Sequence, residues 1–323
     1  TILELKYQAS LKSILLRIDP DRLEKLNFSL VKNIHNLAIT LNKNSSKFEP
    51  QLRAYFLISF LAISWGTIPL IIRTSNISPL SLVGIRTFLG SIFLLIFVLK
   101  KKGITKKLVN SGFVLGPLLA IHWSTMFKSI ELNSVAVGIG LVFSYPIFVI
   151  FIEMLRGQKV AKYQILIILS GFLGLFFLLD ITSIASPIGV VYGIISAITL
   201  AFLIIYGSEK SKEYGGLNVA FIQVIFAAIC LSPFTASGFD WMLDNLLVSL
   251  FLGFFLTGVG LATYWYVVKI VTPLAIGTIT YLEPVTGVVI GALILNETIK
   301  GFQYFGFGLV IIAGITQVYL DSK

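Results

Sequence analysis

The chain has 323 residues, 56% of them hydrophobic and 12% charged, with a formal net charge of +10. Soluble domains carry roughly 25% charged residues, so this composition excludes an ordinary soluble enzyme. The positive balance does not imply nucleic acid, because Lys and Arg lie between apolar stretches rather than on one compact face. A single Cys230 and only two histidines, His35 and His122, exclude an internal disulfide, a Cys cluster and a multi-His metal site, and nothing calls for a cofactor.

Residues 1–50 stand apart as a cytoplasmic N-terminal extension, expected to be partly helical. They contain no continuous apolar core, so no signal peptide is expected. Asp19-Pro20 has the form of a helix cap followed by proline at the first helical position. Leu23, Leu26, Leu30, Ile34, Leu37 and Leu41 then make one apolar stripe, and Asn42 to Ser46 reads as a linker. The stripe suits a helix lying on anionic lipid or docking on a partner. The plainer reading is a partly disordered tail.

From Ala54 to Leu320, ten apolar stretches follow one another: 54–72, 80–99, 113–130, 135–155, 163–181, 188–206, 217–235, 246–268, 274–295 and 302–320. A helix needs roughly 20 residues to cross the hydrocarbon core, and each stretch is near that length. Helices apolar on every side cannot be hidden in such number in a soluble fold. The expected fold is therefore all-α, a polytopic membrane protein with ten transmembrane helices.

Lys and Arg in short loops mark the cytoplasmic side. Gaps after even-numbered stretches hold Lys100, Lys101, Lys102, Lys106, Lys107, Arg156, Lys159, Lys162, Lys210, Lys212 and Lys269. The odd-numbered side holds only Arg73 and Lys300 in its gaps and Lys128 at the end of the third stretch. The imbalance places the even gaps and both termini in the cytoplasm, and the protein in the cell membrane by default.

The two halves can be laid over each other. Leu80 falls on Leu217 and Arg86 on Gln223. Val135-Ala136-Val137-Gly138 falls on Leu274-Ala275-Ile276-Gly277, and Tyr145-Pro146 stands opposite Glu283-Pro284 with a one-residue slip. The repeats would be 54–182 and 187–320. A unit that crosses five times must be followed by its copy upside down, giving two inverted five-helix repeats, an architecture typical of secondary transporters.

The ordered set Trp65-Gly66, Arg86-Thr87-Phe88, Tyr145-Pro146, Tyr281-Leu282-Glu283-Pro284-Val285 and Asn296-Glu297 resembles EamA-type members of the drug/metabolite transporter superfamily over about 54–320. Lys159 stands where the family often has an acid, and the extension has no counterpart in the family pattern. The resemblance implies export or exchange of a small metabolite.

Glu283 is the leading candidate for chemistry. A charge at mid-span costs roughly 2.5–3.5 kcal/mol on insertion scales and so usually faces a cavity or partner. It would bind substrate and accept the coupling proton. Pro146 and Pro284 each remove a backbone donor and are expected to kink their helices, freeing carbonyls toward a ligand. Trp65, His122, Trp123, Tyr145 and Tyr281 lie near mid-depth and could shape a substrate pocket. Each is also consistent with ordinary helix packing. Arg86 is either a counter-ion for a substrate anion or for Glu283, or a side chain snorkelling to the headgroups; its place near the start of its span favours the second. Glu153 reads as an interfacial ion-pair member beside Arg156, and Tyr264, Trp265 and Tyr266 as an aromatic belt. Gly112/Gly116, Gly189/Gly193 and Gly287/Gly291 offer close packing sites.

Walker loop, HExxH, G-x-S-x-G, a TVGYG-like filter and an intramembrane aspartate pair are all absent from the sequence, Asp180 being solitary. The expectation is a non-enzymatic secondary transporter that moves a small organic metabolite, such as an amino acid or amine, by alternating access, with protons as the candidate coupling ion. Its partners would be the solute and membrane lipids, and the chain would work as a monomer or weak homo-oligomer. The alternative is a membrane scaffold or sensor whose N-terminal segment binds a partner.

Overall fold

Lipid offers no hydrogen bonds to a peptide group, so an apolar run that enters a bilayer must close its own backbone bonds, and a helix is the way one segment does so. The computed structural model describes residues 50–100, 103–133, 135–180, 184–294 and 298–321, all helices, turns and loops with no strand among them. The expected helix of the extension, its linker and the Asn296-Glu297 motif lie outside the described residues.

Ten principal helices follow in order: α1 (Pro50–Ile72), α2 (Pro79–Lys100), α3 (Lys106–Leu132), α4 (Val135–Leu155), α5 (Lys162–Leu178), α6 (Pro187–Tyr214), α7 (Gly216–Cys230), α8 (Leu246–Val267), α9 (Pro273–Ile294) and α10 (Gly301–Leu320). Eight are long and apolar enough to cross a membrane; α5 and α7 are shorter apolar helices of 17 and 15 residues. The seventh stretch, expected to run to 235, stops at Cys230. Pro233 cannot donate into a continuing helix, and two short helices, Ser232–Ser237 and Phe239–Asp244, lead to α8 instead.

Local sequence fixes the starts. The side chains of Thr105, Ser186 and Thr272 accept hydrogen bonds from the amides of Leu108, Gly189 and Ala275, and Pro187 and Pro273 open their helices. Hydroxyl caps satisfy amides that a helix start leaves bare, and proline at the first position loses nothing.

Three helices are broken partway. In α1 a turn at Gly66-Thr67 precedes a second segment, Ile68–Thr74. In α4, Val135–Val142 and Tyr145–Leu155 are separated at Phe143-Ser144. In α9, Pro273–Ile279 and Leu282–Ile294 are separated at Thr280-Tyr281. A proline follows each break, at Pro69, Pro146 and Pro284. Helix α8 contains a π-helical stretch, Phe251–Val259, in which the Thr257 hydroxyl bonds the carbonyl five residues back, on Leu252, at 2.8 Å.

Residues 51–323 form one compact unit. Helix α3 packs along α6, α5 along α10, α2 against α7 and α8, and the inner segments of α4 and α9 against each other. The interior is continuous and apolar, whereas large hydrophobics face outward on every side, with Phe56 73%, Leu99 74% and Leu293 76% exposed. An exposed apolar surface of that extent fits lipid and not water. At the helix ends, Arg156 pairs with Glu209 across two helices and with Glu153 at 3.6 Å, and Lys300 pairs with Asp180 at 2.5 Å. The Glu209 hydrogen bond holds the Arg156 guanidinium above its ordinary pKa, with partial desolvation opposing it.

One belt assignment needs correction. Tyr266 is 47% exposed, but Tyr264 and Trp265 are buried. Helix α8 turns these two inward, and the Trp265 indole fills a notch left by Gly207 of α6, where a Cβ would collide with the ring.

The loop order makes a test of sidedness. In a Cys230→Ser background, single cysteines at Gly157 should react with an impermeant maleimide from one face of the membrane only, and those at Ser78 and Asp240 from the other only.

Candidate functional site

Two adjoining cavities lie inside the helical unit. The inner chamber, about 90 Å³, is walled by eight of the ten helices, all except α5 and α10. The outer one, about 550 Å³, is within the usual size range of ligand pockets, roughly 300–1,000 Å³. Its lining comes from the ends of α1, α3, α4 and α9 nearest the odd-numbered loops, and from Thr298, Ile299 and Gln303 beside them. At the other ends of these helices Val149, Ile150, Ala275 and Ile276 are buried in the core. Glu283 lines both cavities.

The helix breaks create this arrangement. Glu283 follows the break in α9, and Tyr145 follows the break in α4. The Tyr145 hydroxyl and Thr280 Oγ1 lie 2.6 Å apart and join the two broken helices. Pro146 packs against Gly277, reinforcing the crossing. Gly66, at the break of α1, lies so near α9 that a Cβ there would stand 2.6 Å from the Glu283 carbonyl oxygen. Only glycine allows that approach.

Arg86 is the chief surprise. It is 2% exposed and lines the inner chamber, so it does not reach the headgroups. Its Nε donates to Thr257 Oγ1 at 3.0 Å, and its guanidinium carbon sits 3.8 Å from the centroid of the Trp123 ring. A cation over an indole face is a favourable contact when desolvated. Arg86 and Glu283 are the only Arg, Lys, Asp or Glu side chains lining the chamber. Among the described residues, no ion pair joins them.

The remaining candidates divide. Trp65 lines the chamber and donates its indole N–H to the Leu256 carbonyl at 2.8 Å, tying α1 to α8. His122 lines it as well, with Nδ1 2.8 Å from Ser196 Oγ and 3.2 Å from the Ser196 carbonyl of α6. A carbonyl only accepts, so this contact places the proton on Nδ1 and leaves Nε2 as the acceptor. Trp123 and Tyr145 complete the set. Tyr281 does not line either cavity. It is fully buried, packs into the notch at Gly171 and donates to the Ile168 carbonyl at 3.5 Å. Tyr281 lies in the break of α9 and Glu283 in the helix that follows, and the two face different neighbours. Gly287 and Gly291 line the outer cavity, whereas Gly112 and Gly116 meet Phe226 in helix packing.

Two chamber residues were not singled out for a site. Gln223 of α7 is fully buried and its Oε1 accepts from Trp265 Nε1 at 2.5 Å. Tyr264 is buried beside Trp65, ring centroids 5.8 Å apart. The signal for Gln223 was its place opposite Arg86 in the repeat.

The EamA-like transporter family matches the sequence twice, over residues 52–180 and 187–319. The chain belongs to that family. Relatives in the EamA-like family include the uncharacterized inner membrane transporter YedA of Escherichia coli K12, 25% identical over 280 residues, covering 83% of this chain and 91% of YedA. An uncharacterized transporter of Archaeoglobus fulgidus is 25% identical over 256 residues, covering 79% of this chain and 92% of its own. A protein of solved crystal structure shares the fold, with a TM-score of 0.66 at 17% identity, over 83% of this chain and 99% of that one. Family and relatives make this a multi-pass membrane transporter rather than an enzyme.

The notch at Gly207 predicts a measurable cost. Gly207→Leu should displace Trp265 and lower stability by about 1–3 kcal/mol, the usual range for overpacking, seen as a lower unfolding temperature in detergent. Gly301→Ala, where no atom lies within 4 Å of an added Cβ, should leave that temperature unchanged.

Proposed function

We propose that this EamA-like protein is a secondary transporter that carries a small organic metabolite by alternating access. The observation that carries the reading is the position of Glu283, at the helix break of α9 and on the wall of both cavities. Interrupted helices at corresponding places in two repeats are the usual marker of a transporter's binding site. The breaks of α4 and α9 occupy such places in the repeat, and the two matches to the family support a duplicated unit.

The proposed architecture is ten crossings in two inverted halves, 54–182 and 187–320, with both termini in the cytoplasm of a cell membrane. The odd-numbered loops would then face outside, and the described conformation would be the outward-facing one. Solute would pass from the outer cavity by Glu283 into the inner chamber, against Trp65, Trp123, His122 and Tyr145. Closure on the opposite side would rest on the packed ends of α4, α6 and α9, with the Arg156–Glu209 pair at their margin. One chain supplies the whole chamber, which suits a monomer or weak homo-oligomer surrounded by lipid.

Glu283 is proposed to carry the coupling proton. The titratable or charged side chains that share its chamber are Arg86, His122, Tyr145 and Tyr264. Protonation of Glu283 would remove a charge that is costly at this depth, letting the carrier cross between states. In proteoliposomes, Glu283→Gln should flatten the pH dependence of uptake. A pH profile identical to the wild type's would remove proton coupling and leave facilitated exchange.

A further inference from the structure

We infer that Arg86, Gln223 and Tyr264 form a carboxylate-binding subsite, and that the transported solute is a small zwitterion. The inference rests on the transport reading and names its substrate class.

The three residues come from α2, α7 and α8 and line one chamber. Each is at least nine-tenths buried, where an unmatched polar group is expensive. The Trp265 indole can only donate, so its bond to Gln223 fixes the amide with Oε1 toward the indole. The amide nitrogen is thereby turned to the other side, and it has no hydrogen-bond partner among the described residues. The Tyr264 hydroxyl is likewise buried without a partner. Arg86 brings a guanidinium, which donates and never accepts. Its Nε is held by Thr257 and its plane by Trp123. The chamber therefore gathers two unpartnered buried groups able to donate, from α7 and α8, together with the positive charge of Arg86 from α2. An oxyanion is the group that would suit all three.

Charge balance narrows the class. With Glu283 ionised, Arg86 and Glu283 sum to zero, and no ion pair joins them among the described residues. A neutral solute would leave the donors unmet by any strong acceptor. A dianion such as phosphate would bring a net charge into a space that is already balanced. A zwitterion puts its carboxylate on Arg86, Gln223 and Tyr264 and its cationic group toward Glu283, and adds no net charge. The subsite also spans the repeat, because Arg86 and Gln223 occupy matching places in the two halves.

The test measures equilibrium binding rather than flux. Purified full-length protein would be titrated with leucine, proline and glycine betaine, each beside its primary amide, by thermal shift and calorimetry, with inorganic phosphate as a further arm. At least one zwitterion should bind, and its amide should bind more weakly by roughly ten- to hundredfold, the size expected for losing hydrogen bonds to a charged group. Tyr264→Phe should fold as well as the wild type, since its hydroxyl has no partner to lose, yet weaken the zwitterion and not the amide. Gln223→Glu keeps the acceptor for Trp265 and removes the donor, and should abolish the preference for carboxylate. Amides binding as well as zwitterions, phosphate binding in their place, no zwitterion binding at millimolar concentration, or both variants binding as the wild type does would each overturn the inference. Flux of a solute without a carboxylate would leave transport standing and remove the subsite. Carboxylate binding in a protein that transports nothing would do the reverse.

Discussion

Backbone amides and carbonyls inside a bilayer must find partners within the protein, and the rest of this structure depends on how that demand is met at three helix breaks. Proline at 69, 146 and 284 forbids a continuous ladder. Each break carries a hydroxyl residue that bonds a carbonyl of the turn before it. Thr67 Oγ1 donates to Ser64 at 2.7 Å, Ser144 Oγ to Leu141 at 2.6 Å, and Thr280 Oγ1 to Ile276 at 3.0 Å. Tighter backbone turns supplement them, from the Thr67 amide to Ser64 and from the Ser144 amide to Leu141. Irregular backbone at this depth is tolerated only where protein or a cavity surrounds it. The breaks of α1, α4 and α9 are accordingly gathered around the two cavities and not on the lipid face.

From that constraint the polar contents of the chamber follow. Once the broken helices are clustered, the side chains next to the breaks reach the space between them. Tyr145 and Glu283 are placed in this way. Single polar ties then join the helices: Trp65 to α8, His122 to α6 and Arg86 to the π-helical turn of α8 cross between the halves, and Trp265 to α7 lies within the second. Interhelical hydrogen bonds in membranes are individually modest, near 1 kcal/mol. Their value here is geometric, since each fixes the rotation of a helix about its axis and so decides which face looks inward.

Much of this was legible from residues alone, and the failures have a common cause. Hydropathy located the helices because a crossing has a fixed length. Pro146 and Pro284 marked the breaks of α4 and α9, whereas Pro69 gave no warning of the break in α1 and α3 runs on through Pro117. Rotation was not legible. Arg86 looked like a snorkelling residue because distance from the span's start says how deep a side chain is and not which way it points. Its partner, Thr257, is turned toward it by a π-helical stretch that hydropathy does not reveal. Tyr264 and Trp265 looked like a belt for the same reason, and the notch at Gly207 that receives the indole is a property of another helix. Tyr281, in the break of α9, lines neither cavity and packs into the notch at Gly171, which again belongs to another helix.

The separation of Arg86 from Glu283 is the feature that most needs an energetic account. Two opposite charges in an apolar chamber would lower their energy by pairing, and burying them apart costs folding stability. The structure instead engages Arg86 with an indole face and a threonine hydroxyl. Natural proteins commonly give up stability at sites that must bind or move. A chamber whose charges neutralised each other would have little left to offer a solute, because binding would first have to break the pair. On the proposed transport reading, keeping them apart would leave both groups to be met by an entering solute, so that the unfavourable energy of the empty chamber would become affinity in the filled one.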